Sequence, residues 1–92
     1  MDKELPEDER QRIQEIALGH PGVLGVHDMR TRSSGMDLFI QFHLDMNGEI
    51  TLNEAHEISE AVMYKIEVAF PRAEVLIHED PAGVEERRKE FA

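Results

Sequence analysis

The chain has 92 residues, with twenty acidic against ten basic side chains and a formal charge of −10; a domain this short carries one small core and gains from a partner subunit, because it buries a smaller share of its surface than a long chain does. That negative field repels nucleic acid and anionic lipid and draws in cations. With no cysteine, a disulfide framework, a thiolate zinc finger and a cysteine nucleophile are all excluded, so any bound metal is held by nitrogen and oxygen.

No stretch approaches the roughly 20 consecutive apolar residues that span a bilayer. The start, Met1-Asp2-Lys3-Glu4, also lacks the apolar core of a signal peptide. The expectation is a soluble, cytoplasmic chain without direct membrane insertion.

In chain order, Ile13, Ile16 and Ala17 recur at helical spacing among charges, and Gly19 before His20-Pro21 is stop chemistry. This predicts a first helix from about Pro6 to Leu18. From Val23 to Thr31 β-formers mix with polar residues, and Ser33-Ser34-Gly35 supplies a turn. Leu38, Ile40, Phe42 and Leu44 then alternate with Phe39, Gln41, His43 and Asp45, the mark of a half-buried second strand.

Asn47-Gly48 breaks that strand, and Thr51 with Glu54 fits a capping box. Leu52, Ala55, Ile58, Ser59, Val62, Ile66 and Ala69 continue at helical intervals, giving a second helix from about Leu52 to Phe70. Pro71 ends it, and a short apolar run from Glu74 to His78 forms the last strand, closed by Pro81-Ala82-Gly83. The expected fold is α+β: a two-layer sandwich in αββαβ order, ferredoxin-like, with both helices on one face of a mostly antiparallel sheet. Residues 1–92 form a single domain in this reading, with a core over about 5–81 and a charged tail over 82–92.

The pointed chemistry lies in five histidines, His20, His27, His43, His56 and His78, with Asp80 two residues after the last. A hairpin symmetric about Gly35 sets His27 opposite His43, with Cβ atoms about 4.5 to 5.5 Å apart, close enough for two imidazoles to share an ion. The same register turns Asp28 and Arg30 toward the face of Ile40 and Phe42, a mismatch that a bulge in the first strand would relieve. His78 and Asp80 point to one face of an extended strand and offer a nitrogen and a carboxylate capable of bridging. His56, in the first turns of the second helix, would complete a site if its imidazole faces the sheet edge or a second subunit. His20 is accounted for by the helix C-terminus and is assigned no metal.

Met29, Met36, Met46 and Met63 read as core or interface filler, and Glu85 to Glu90 as a solvated run. Ser33 and Ser34 lie in a turn with no glycine-flanked elbow, and there is no Gly-rich phosphate loop, so an enzyme is not expected.

Pro21-Gly22-Val23, His27-Asp28-Met29-Arg30-Thr31-Arg32, Phe39-Ile40-Gln41-Phe42-His43-Leu44, Ala55-His56 and Ile77-His78-Glu79-Asp80-Pro81 together resemble the cytoplasmic C-terminal domain of cation diffusion facilitator transporters. The resemblance runs from about Leu5 to Pro81 and is strongest toward bacterial zinc and iron efflux members. It implies a metallochaperone-like αββαβ fold that forms a homodimer beneath a membrane-embedded transporter domain, with zinc at the cytoplasmic dimer interface.

By motif position the resemblance makes His27, His43, His56, His78 and Asp80 the metal ligands, with Asp80 able to bridge two ions. Family members usually carry transmembrane helices before this domain and this sequence shows none, so the resemblance implies an excised domain or a stand-alone relative. Zinc is the first expectation, while iron(II), cobalt, nickel, manganese and cadmium use similar ligands. The function expected is regulation of a divalent-cation efflux transporter. The alternatives are a stand-alone metal-buffering protein and a purely structural dimerisation module.

Overall fold

A computed structural model describes residues 3–83; the run from Glu85 to Glu90 lies outside them. Helix α1 spans Glu7–Leu18, with Pro6 in extended backbone before it. Glu7, Asp8 and Glu9 fill its first turn, where negative charge complements the exposed N–H groups. Its inward stripe is Ile13 and Ala17, both fully buried. Helix α2 spans Leu52–Ala69 and starts on the expected capping box: Glu54 N–H donates to Thr51 Oγ1 at 3.0 Å, and Thr51 N–H to Glu54 Oε1 at 2.9 Å.

Strands β1 (Gly25–Ser34), β2 (Asp37–Met46) and β3 (Ala73–Pro81) complete the αββαβ order. β1 runs three residues past the Thr31 expected from the sequence, because the connection to β2 is only Gly35-Met36. Gly35, at φ 63, supplies the left-handed backbone that so tight a turn requires.

The sheet has β2 in the centre. It is mixed rather than mostly antiparallel: β1 pairs antiparallel with β2, and β3 pairs parallel with it. The parallel pair follows from α2, which carries the chain back across the sheet before β3 begins. Ile40, Phe42, Leu44 and Met46 point from β2 into a core shared with Ile13, Ala17, Val62, Ile66 and Phe70. Each fully buried Val, Leu, Ile, Phe or Met among them stabilises the fold by about 1.5–3 kcal/mol. Alternation then sends Phe39, Gln41, His43 and Asp45 to the opposite face, which neither helix covers.

The segment before α1 is fastened to β1. Lys3 and Ser33 exchange two backbone hydrogen bonds, of 3.1 and 2.6 Å. Leu5 is buried, and its N–H donates to the hydroxyl of Thr31, a buried polar side chain on the core face of β1. Among the described residues no helix is long and apolar enough to cross a membrane.

Candidate metal centre

All three strands contribute to the centre, on the sheet face turned away from the helices. The registers His27↔His43 and His43↔His78 set three imidazoles in a row across the strands. Their rings stack, with centroids 4.8 Å apart for His27 and His43 and 4.7 Å apart for His43 and His78. Two residues along each strand runs a second row, Gly25↔Asp45 and Asp45↔Asp80. The period of two along a strand puts both rows on one face.

The carboxylates lean over the strands toward the imidazoles. Asp80 Oδ2 lies 2.8 Å from His43 Nδ1 and 3.4 Å from His27 Nε2. Donor atoms of His27, His43 and Asp80 all fall within 4.8 Å of one another. Asp45 Oδ2 lies 3.1 Å from His27 Nδ1, and Asp28 Oδ2 lies 3.7 Å from His43 Nε2. Three carboxylates thus face two imidazoles, an electrostatic setting that favours a cation.

Asp28 gets there through a bulge. The ladder slips between His27 and Arg30, so Asp28 and Met29 together stand against Phe42. Asp28 adopts φ 53, a left-handed conformation that Asp tolerates better than most residues, and Arg30 Nε contacts its carboxylate at 3.5 Å. Met29 packs against the core. Arg30 opposes Gln41 on the open face, and not Ile40 as a regular ladder would have it.

Of the residues expected from the sequence, His27, His43 and Asp80 come together. His78 joins by stacking on His43, with its side chain exposed. His56 does not join within one chain: it sits exposed on α2, its Nε2 3.4 Å from Glu60 Oε1. His20 differs from expectation. Lys65 Nζ lies 2.8 Å from its Nδ1, and partial desolvation together with that ammonium group lowers the His20 pKa from its ordinary value, which disfavours the charged form that a helix C-terminus attracts.

Sequence reasoning missed Asp45 and Asp28. The signal for Asp45 was present, since His43-Leu44-Asp45 repeats the spacing of His78-Glu79-Asp80. The parallel register brings the two copies side by side.

The family model for the cytoplasmic domain of cation efflux proteins matches residues 5–82. The chain is 53% identical over 85 residues to the cation-efflux pump FieF of Shewanella oneidensis, covering 92% of this chain and 29% of that protein. It is 49% identical over 86 residues to Protein p34 of Rickettsia prowazekii, covering 94% of this chain and 29% of that one. The chain therefore spans under a third of the length of these relatives. Among solved structures, CzrB superposes with a TM-score of 0.80 at 33% identity, over 86% of this chain and 99% of that one. Its zinc form gives 0.77 at 35% identity, over 95% and 100%. A nickel form of a MamM C-terminal domain variant gives 0.77 at 32% identity, over 83% and 98%.

Proposed function

This chain belongs to the family of cytoplasmic domains of cation efflux proteins, and on that footing we propose that it binds zinc or a similar divalent ion between two copies of itself and so regulates an efflux transporter. Cation efflux is a transport role rather than a catalytic one. The observation that carries the reading is the convergence of His27, His43 and Asp80 on an open sheet face, with donor atoms within 4.8 Å of one another. Two imidazoles and a carboxylate are the nitrogen and oxygen donors that borderline divalent transition metals accept, and three protein ligands leave a further position open.

In this reading His27, His43 and Asp80 hold the ion, and the exposed ring of His78 stands ready at the edge of the row. His56 lies in the helical layer of its own chain, so its part as a ligand requires a second copy. The bound ion supplies positive charge between two protomers that each carry a formal −10 and would otherwise repel. Closing the pair biases the attached membrane part only in so far as the closed arrangement binds the ion more tightly than the open one. Zinc and nickel forms of CzrB and MamM domains support a divalent metal without selecting one for this chain.

Calorimetric zinc titration at neutral pH tests the site, with the unmodified chain beside a His43→Ala, Asp80→Ala variant. Saturable uptake lost in the variant is the expected result. Uptake equal in both would move the site elsewhere, and no uptake by the unmodified chain would leave only a structural dimerisation role.

A further inference from the structure

We propose that Asp45, seated in the space that Gly25 leaves open, is a positioning residue that locks the His27 ring with Nδ1 protonated and the Nε2 lone pair turned toward Asp80; this rests on the metal-site reading above. At neutral pH a carboxylate only accepts hydrogen bonds, and a neutral imidazole has one donor and one acceptor nitrogen. Of the two carboxylate contacts of the ring, that between His27 Nδ1 and Asp45 Oδ2 is the shorter, 3.1 Å against 3.4 Å for Nε2 and Asp80 Oδ2, so the one proton of the neutral ring is assigned to Nδ1. That leaves Nε2 as an acceptor, and it faces Asp80 Oδ2 at 3.4 Å. Two acceptors so close repel one another unless a cation lies between them.

The reach of Asp45 depends on Gly25. The two are register partners, while His27 lies one step further along the same face of β1. To meet His27, the Asp45 carboxylate crosses directly over residue 25. A Cβ built there would stand 2.8 Å from Asp45 Oδ2, closer than side-chain atoms tolerate. Glycine at this position is thus what lets the carboxylate lie flat across β1. Because the atom in the way ends a flexible side chain, an alanine displaces the carboxylate rather than breaking the strand.

The arrangement matches a general device of metal sites, in which the second ring nitrogen of a histidine ligand is held by a carboxylate that fixes tautomer and orientation. In this role Asp45 acts through His27, the ring it contacts at 3.1 Å.

The test uses the 92-residue chain and two readouts. Long-range nitrogen–proton NMR correlations of the metal-free protein report the His27 tautomer, and zinc calorimetry reports affinity. The unmodified chain should show His27 with the proton on Nδ1. Asp45→Ala and Gly25→Ala should both release His27 to the tautomer mixture of free histidine and weaken zinc binding by about 10–100-fold. Asp45→Asn, whose amide oxygen still accepts, should restore the tautomer and part of the affinity.

If the unmodified chain takes up no zinc, the metal-site reading falls, and the positioning role of Asp45 falls with it. If that chain binds zinc but shows His27 protonated on Nε2, the role of Asp45 alone is overturned. The same holds if Asp45→Ala keeps both tautomer and affinity.

Discussion

His20 and Lys65 meet at 2.8 Å, a contact in which the ammonium group donates to an imidazole nitrogen that carries no proton. Partial desolvation of the ring disfavours its charged form, and protonating His20 would also set two cations against each other, so its pKa is lowered. A lowered folded-state value means that the unfolded chain takes up the proton first. The contribution to stability is therefore present above the unfolded histidine pKa and is lost as pH falls through the lower folded value. Lys65→Met should raise the His20 pKa toward the ordinary histidine value, as followed by ring-proton NMR titration. An unmoved titration curve would show that Lys65 has no part in the shift. The sequence carried no hint of this pair, since residues 20 and 65 meet only once α1 and α2 pack. The same limit hid Asp28, whose carboxylate reaches His43 through a backbone conformation that no spacing rule encodes.

At the level of elements, the β1 bulge explains why a simple count along the chain found the right histidine pair. Symmetry about Gly35 predicts His27 opposite His43, yet the turn is Gly35-Met36 and its centre lies half a residue later. The extra residue in β1 cancels that offset, so the pair survives together with Val26↔Leu44 and Gly25↔Asp45, while the pairs on the turn side do not: Arg30 meets Gln41 where the symmetric ladder would place Ile40. The alternating pattern of β2 and the capping box of α2 were legible because each is a local code, in one case a period of two and in the other a polar pair three residues apart. The pairing of β3 was not, because strand direction is decided by the path of the intervening helix. Asp28, at φ 53, gives the bulge its own test. Asp28→Val should lower stability by about 1–2 kcal/mol in zinc-free thermal denaturation, since a β-branched residue fits this backbone region poorly. Asp28→Gly should cost less, and equal costs for the two would remove backbone strain as the cause.

Across the whole molecule, one sheet face is committed to the helices and the other to the histidine and aspartate rows. Ligand binding that favours the folded, paired state stabilises it by mass action, by about 2.7 kcal/mol at a free ligand concentration 100 times the dissociation constant. Zinc should therefore raise the melting temperature and the sedimentation coefficient together, and a chelator should reverse both. A rise in melting temperature without a change in sedimentation would place the ion within single protomers and leave His56 without a role. The segment before α1 joins the two layers as well, since Lys3 and Leu5 are fastened to β1. Glu4 between them pairs with Arg10 of α1 at 2.6 Å, so residues 3 to 5 form a clasp that ties the strand bearing His27 to the first helix.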